Sequence, residues 1–140
     1  MKVSLLFPPT WHPSQPYLSL PSLTGFLRQG GISDVSQRDL GIELLDAILT
    51  RGYATEVYQL LIAKLRDLER TQTGETGAGS REHYAKVTDS LDRFAYLVDR
   101  IELAKETLRS EEFYDLDAYR ASLFMIDKWL EVVFAVYFPT

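Results

Sequence analysis

The amino-terminal stretch from Val3 to Leu27 constrains the fold most, because it carries no formal charge yet is repeatedly interrupted by proline. Five of the six prolines of the chain lie in it: Pro8, Pro9, Pro13, Pro16 and Pro21. Proline removes a backbone donor and breaks a helix interior, so this stretch cannot form the continuous helix that spans a bilayer. No small-residue cleavage site follows a continuous apolar core. We therefore expect a cytoplasmic protein that makes no membrane contact.

Composition narrows the chemistry that the chain can perform. Its 140 residues, 46% of them hydrophobic, suffice for about one globular domain with its own core. The absence of cysteine excludes disulfides, thiolate nucleophiles and any cysteine-held zinc or iron–sulfur cluster on this chain. The two histidines, His12 and His83, are too few for a multi-histidine metal site. A net charge of -5 disfavours binding to nucleic-acid phosphates.

The first forty residues predict a strand, a helix and a second strand. The apolar run from Val3 to Phe7 is short and ends at a double proline, as a buried strand does. Helical spacing begins at Ser19, and Gly30 with Gly31 supplies a left-handed stop. Residues 32–40 predict the second strand. Such a βαβ crossover makes the two strands parallel.

The remaining residues predict helices. Asp39 is a candidate N-cap for a helix that ends at Gly52, and a third helix covers residues 53–71. A long helix runs from Ser80 to about Leu108, and a final helix follows residues 111–117. The predicted core positions of the first two of these helices are Ile42, Leu45, Ile48, Leu49, Val57, Leu60, Leu61, Leu65 and Leu68. Those of the last two are Val87, Leu91, Phe94, Val98, Ile101, Ala104, Leu116, Tyr119, Leu123, Ile126, Leu130, Val133 and Tyr137.

The predicted sheet is incomplete. Two parallel strands leave two unpaired edges, and parallel sheets normally have more strands with helices on both faces. Either more chain follows Thr140 in a parent protein, or another molecule completes the sheet, or the strands pack in an unusual small fold. The apolar residues before Thr140 favour the first option, because an uncovered apolar terminus is costly.

Most charged and histidine positions have a structural explanation. The acidic cluster Glu111, Glu112, Asp115 and Asp117 lacks the spacing of a calcium loop and suits helix capping. We expect His83 to be a surface residue at the start of the long helix. Neither a glycine-rich phosphate loop nor a nucleophile elbow is present.

The proline-rich loop after the first strand is the most specific local feature. Ligands of open α/β sheets gather outside the carboxyl ends of the strands, and a stiff loop loses little entropy on binding. The alternative, in which the prolines only stiffen a turn and its aromatic residues pack on the core, stays open.

Several segments together resemble a known family. They are Leu5-Leu6-Phe7-Pro8-Pro9-Thr10-Trp11, Gln15-Pro16-Tyr17-Leu18, Leu20-Pro21, Leu27-Arg28, Gln37-Arg38-Asp39-Leu40 and Ile42-Glu43. This pattern, which covers about a third of the chain, resembles the amino-terminal region of cobalamin-binding radical S-adenosylmethionine enzymes with a helical insertion after the second strand.

The resemblance implies a fold and a cofactor. The fold is α/β tending to mainly α: residues 1–52 form an incomplete Rossmann-like βαβ unit, and residues 53–140 form a long-helix hairpin or bundle packed on it as one domain. Cobalamin would contact two segments of the chain, and the residues implied are Pro9, Thr10, Trp11, His12, Ser14, Gln15, Arg38 and Asp39. The D-x-H-x-x-G motif that supplies a lower cobalt ligand is absent, so cobalamin would be held without it.

The implied function is a cobalamin-binding amino-terminal part of such an enzyme, without activity of its own. The C-x-x-x-C-x-x-C motif is absent. The iron–sulfur cluster and S-adenosylmethionine would therefore belong to a following domain of the parent protein, which is the implied partner. The alternative function is a noncatalytic helical module that binds another protein or forms a homo-oligomer.

Overall fold

The computed structural model describes residues 1–8, 18–71 and 78–137. The elements in chain order are β1 (Val3–Phe7), α1 (Ser19–Gln29), β2 (Val35–Asp39), α2 (Leu40–Ile48), α3 (Arg51–Thr71), α4 (Ala78–Thr107), a 3-10 helix (Glu111–Tyr114) and α5 (Leu116–Tyr137). The predicted α/β fold tending to mainly α is confirmed, including the two parallel strands and the long-helix hairpin. The chain divides into two compact units, Met1–Ile48 and Leu49–Thr140.

The first unit contains the predicted parallel strand pair. β1 and β2 pair in a register that places Val3 opposite Val35 and Phe7 opposite Asp39. Between them, α1 ends where Gly31 adopts a φ of 85°, a left-handed conformation that glycine reaches without a Cβ clash. The sequence therefore placed β1, α1 and the parallel pairing correctly.

The two faces of this sheet have different environments. Side chains alternate along a strand, so paired residues of parallel strands share a face. On one face Val3, Leu5 and Phe7 are half-buried, and Gln37 accepts a hydrogen bond of 3.3 Å from the buried Thr24 hydroxyl of α1. On the other face Ser4 and Leu6 are exposed. One face is thus covered by a helix, whereas the other is open.

The boundary between α2 and α3 differs from the prediction. α2 ends at Ile48, and Gly52 is the second residue of α3 instead of the stop of α2. The reason is a cap: the Thr50 hydroxyl accepts a hydrogen bond of 3.2 Å from the Tyr53 amide, which starts a new helix before the glycine. Within the predicted α2 stripe, Ile42 is exposed, whereas Ile48 and Leu49 are buried.

The second unit is built on three helices whose buried residues alternate spacings of three and four. On α4 the buried positions are His83, Val87, Ser90, Leu97, Ile101, Ala104 and Thr107. On α5 they include Ser122, Ile126, Trp129, Val133 and Val136. This is the spacing of a coiled-coil-like seam. The predicted α4 core positions Val87, Ile101 and Ala104 are confirmed, whereas Leu91 and Val98 are only half-buried, and Ser90 and Leu97 are buried beside them.

The final helix shows the same kind of difference. Leu116 and Tyr137, predicted as core, are exposed, and the fully buried Trp129 was not among the predicted core positions. Leu60 of α3 is likewise exposed, beside the buried Val57 and Leu61. The predicted stripes followed the most apolar residues, whereas the observed seam includes small polar ones such as Ser122.

An aromatic series joins the three helices of the second unit. The ring centroid of Tyr58 on α3 lies 5.2 Å from that of Phe94 on α4, which lies 5.8 Å from that of Trp129 on α5. Arg51 pairs with Glu102 at 3.6 Å, and Arg93 with Glu131 at 3.1 Å. These contacts define α4 as antiparallel to both of its neighbours. Tilted aromatic pairs of this kind add about 0.5–1.5 kcal/mol each beyond their buried area.

His83 is buried, so its predicted surface position was wrong. Its Nε2 lies 3.3 Å from the carbonyl oxygen of Ala135, and Lys64 donates to the carbonyl oxygen of Val136 at 2.9 Å. The last carbonyls of a helix have no partner within it, and cations or N–H donors stabilise them. Both side chains therefore stabilise the carboxyl end of α5. Burial also lowers the pKa of Lys64.

Candidate functional site

The candidate site is the end of the sheet at which β1 and β2 both have their carboxyl ends. Phe7 and Asp39 are paired at this end. A helix that connects two parallel strands begins at their carboxyl ends, so the amino end of α1 belongs to the same end. The predicted site residues Pro9, Thr10, Trp11, His12, Ser14 and Gln15 lie outside the described residues. Of the predicted set, Arg38 and Asp39 are described.

Asp39 serves as the N-cap of α2. Its Oδ1 accepts hydrogen bonds from the amides of Gly41 at 2.9 Å and Ile42 at 3.2 Å. A carboxylate at this position satisfies amides that have no partner within the helix and interacts favourably with the helix dipole. The predicted capping role is therefore confirmed. Capping occupies one of the two carboxylate oxygens of Asp39.

Arg38 forms a two-point ion pair with Glu43 of α2. Arg38 Nε donates to Glu43 Oε1 at 2.8 Å, and Arg38 Nη2 donates to Glu43 Oε2. This pairing raises the pKa of Arg38, and the hydrogen bond from Arg38 lowers the pKa of Glu43. Both side chains are exposed. The guanidinium is therefore held in place and remains accessible to a ligand.

The structure does not bring the two described candidates onto one surface. Arg38 lies on the open face of the sheet, opposite its register partner Leu6. Asp39, one residue later, lies on the face that α1 covers, together with Phe7. Consecutive strand residues point to opposite faces. A single ligand could reach both only by wrapping around the end of β2.

The amino end of α1 adds hydrogen-bond donors to this end of the sheet. Leu18 is its N-cap residue, and within the described part of the chain no side chain caps this end. Its first turn contains no acidic residue. The first amides of a helix lack partners within it and favour ligand oxygens, including phosphate. The resemblance did not identify these donors, although Pro21 in the first turn is a sequence signal of a helix start.

The acidic cluster before α5 has a structural role. The Ser110 hydroxyl accepts from the Glu112 amide at 3.2 Å. Asp115 Oδ1 accepts from the amides of Asp117 at 3.0 Å and Ala118 at 2.9 Å. Ser110 thus caps the 3-10 helix, and Asp115 caps α5 as its sequence position predicted. Among the described residues, no group of three or more histidine and acidic side chains could hold a metal ion.

Comparisons with known proteins identify no family for this chain. Neither the family models, nor the curated proteins, nor the solved structures compared with the chain match it. Within residues 1–8, 18–71 and 78–137, none of the helices combines the length and apolar character needed to cross a membrane.

Proposed function

We propose that this chain contributes part of a cobalamin-binding domain to a cobalamin-dependent radical S-adenosylmethionine enzyme and has no catalytic activity of its own. The observation that carries the proposal is the parallel pair β1–β2 with one helix-covered face and one open face. Parallel sheets are normally covered on both faces and have more than two strands. Such a unit suits an assembly in which further strands and helices complete the sheet.

The sequence resemblance supplies the cofactor class. It rests on the double proline after β1 and the Arg38-Asp39 segment at the end of β2. The described residues that could contact cobalamin lie at one end of the sheet but on different faces: the α1 amides can donate to oxygens of the corrin side chains or of the phosphate, and Arg38, on the open face, offers a held guanidinium. When bound, cobalamin would supply a corrin-held cobalt to chemistry in the following domain.

A spectral titration with hydroxocobalamin tests the proposal on two proteins. One is the 140-residue chain, and the other continues past Thr140 in its own reading frame. We expect the longer protein to bind and the 140-residue chain to bind weakly or not at all, since its sheet is open. Failure of the longer protein to bind, or a reading frame without further strands and a C-x-x-x-C-x-x-C motif, would overturn the assignment.

A pair of matched variants of the longer protein locates the site on the sheet. Arg38→Ala removes a guanidinium at the carboxyl end of the strands, whereas Arg28→Ala removes one from the last turn of α1, at the opposite end. We expect Arg38→Ala to raise the cobalamin Kd by about tenfold or more, which corresponds to about 1.4 kcal/mol. Arg28→Ala should leave it unchanged. Equal effects would place the cofactor elsewhere.

A further inference from the structure

The two strands of the first unit differ in composition. The sequence of β1 is VSLLF, with four apolar residues in five, whereas that of β2 is VSQRD, with one in five. Interior strands of a parallel sheet are rich in apolar residues because both of their faces are buried. Edge strands often carry charged side chains, which oppose pairing with a further strand. β1 therefore has the composition of an interior strand, and β2 has that of an edge strand.

Within the described part of the chain, β1 has a strand neighbour on one side only. The described sheet contains β1 and β2, and the Val3 amide donates to the carbonyl oxygen of Asp34 at 2.9 Å. Successive residues of a strand direct their amides to alternate sides. The amides of Ser4 and Leu6 therefore point away from β2, at what we call the outer edge of β1. In the observed register, the amide of Gln37 points away from β1, at the outer edge of β2.

The open face of the sheet indicates where a helix is missing. Leu6 on this face is 58% exposed, whereas α1 covers the opposite face. Crossovers between parallel strands are right-handed in about 98% of cases. Such a crossover places its helix on one face when the chain moves one way across the sheet, and on the other face when the chain moves back. Since α1 connects β1 to β2, a helix that covers Leu6 belongs to a connection that runs from β2 back across β1.

The chain already turns in this direction after β2. α2 follows β2 directly, and its residues lie beside β1. A connection to the outer edge of β2 would instead place its helix on the face that α1 covers, and Leu6 would stay exposed. The strand compositions, the open face and the course of α2 therefore select the same edge of the sheet.

From these three observations, we infer that the outer edge of β1 pairs with a parallel, apolar strand that follows Thr140 in the longer protein. The inference rests on the proposed function, in which the protein continues past this residue, and it specifies how the sheet is completed. The connection to the new strand supplies the helix that covers Leu6. β1 becomes an interior strand, and β2 stays at the edge of the sheet.

Amide hydrogen exchange, measured on the 140-residue chain and on the longer protein, tests which edge is paired. We expect the amides of Ser4 and Leu6 to exchange at least about tenfold more slowly in the longer protein, because they gain acceptors in the new strand. The amide of Gln37 is the matched control, and its exchange rate should stay the same. An equal slowing at Gln37, or no slowing at Ser4 and Leu6, would overturn the inference.

Two proline variants of the longer protein test the same edge. Leu6→Pro removes an amide donor from the outer edge of β1, and Gln37→Pro removes one from the outer edge of β2. Proline is tolerated in a strand where the lost amide faces solvent. Leu6→Pro should therefore return the exchange of the Ser4 amide to its rate in the 140-residue chain, whereas Gln37→Pro should leave it slow. Equal exchange of Ser4 in the two variants, with α4 still protected in both, would contradict the assigned edge.

This test is separate from the cobalamin titration. A longer protein that protects Ser4 and Leu6 but does not bind cobalamin would support the strand and overturn the cofactor assignment. A longer protein that binds cobalamin but protects only the outer edge of β2 would support the cofactor assignment and overturn the strand.

Discussion

The two units of the chain bury their apolar residues to different extents. In Leu49–Thr140 the side chains of Leu61, Leu97, Ile101 and Trp129 are almost fully removed from solvent. In Met1–Ile48 only Leu20 and Ile48 are buried among the large apolar side chains that the structure describes, and several are exposed, among them Leu6, Leu18, Leu23, Phe26, Ile42 and Leu44. Three helices can enclose a seam among themselves, whereas in the first unit the sheet face that carries Ser4 and Leu6 stays exposed although the unit contains both α1 and α2. The helical unit is thus closed, and the βαβ unit is open.

This difference has consequences for stability and for function. The closed unit should carry most of the free energy of unfolding, since burial of apolar surface is the main favourable contribution. The open unit retains exposed apolar side chains and strand edges that further chain or a ligand could cover. Under the proposed function, the strands and helices that complete this sheet would also fix the side chains of a cofactor site at the carboxyl ends of β1 and β2.

The largest expected loss of stability comes from truncating a buried side chain in the closed unit. Leu97→Ala removes a side chain that is 2% exposed and should lower the free energy of unfolding by about 2–5 kcal/mol. Leu103→Ala, six residues away on the same helix, removes one that is 59% exposed and should change it by less than about 0.5 kcal/mol. Urea denaturation followed by circular dichroism measures both. Similar losses for the two variants would contradict the seam assignment.

A leucine-to-alanine substitution should lower the free energy of unfolding less in the open unit than in the closed one. Leu20 of α1 is buried, and Leu20→Ala should destabilise this unit by about 1–3 kcal/mol, because the region can relax around the missing side chain. Hydrogen exchange of the β1 and β2 amides reports the loss, and these amides should exchange faster than those of α4 even in the unaltered chain. Leu23→Ala, at an exposed position of α1, is the control. Equal protection of the sheet and α4 would remove the contrast between the units.

At the candidate site, the effect of losing the α2 cap should be smaller. Asp39→Ala should destabilise the start of α2 by about 0.5–2 kcal/mol, because the amides of Gly41 and Ile42 lose their acceptor. Asp39→Asn retains a capping oxygen and should be milder. The exchange rates of these two amides measure the difference. If Asn and Ala behave alike, the Asp39 carboxylate acts through its charge and not as a hydrogen-bond acceptor.

The smallest effect is expected at high pH, in the closed unit. Burial, and then the hydrogen bond with Tyr137, raise the pKa of Tyr53 from 10.0 to about 12. The hydroxyl oxygens of the two residues are 3.3 Å apart. Because the folded pKa is raised, the contribution of Tyr53 to stability is complete below pH 10 and is lost as the pH rises through about 12.

A titration of tyrosine absorbance at 295 nm tests this assignment. Tyr53→Phe should remove a late ionisation near pH 12 and reduce the loss of stability between pH 10 and 12. Tyr114→Phe removes an exposed ring that is not part of this pair and should leave the late ionisation in place. Persistence of the late step in Tyr53→Phe would assign it to another tyrosine.

Local chemistry made much of the fold predictable. The double proline after Phe7 ended β1, Gly31 ended α1 through its left-handed φ, and Asp39 started α2 by capping. Each of these depends on a few neighbouring atoms. The Thr50 cap that starts α3 before Gly52 is equally local, but a glycine at this position predicts the end of a helix and not its second residue. The loop from Pro9 to Gln15 and the cobalamin assignment stay predictions.

The amino-acid sequence by itself determined where the strands and helices form, because capping, proline and glycine act over one turn of backbone. The apolar stripes also indicated the buried face of each helix, since Val57, Val87, Ile101 and Ile126 are buried as predicted, but only the tertiary structure decided where each buried face begins and ends. His83, Ser90 and Ser122 lie in the seam although they are not strongly apolar, because the packing of α4 against α5 fixes the helix rotation. Those choices depend on residues distant in the chain, which no local pattern encodes.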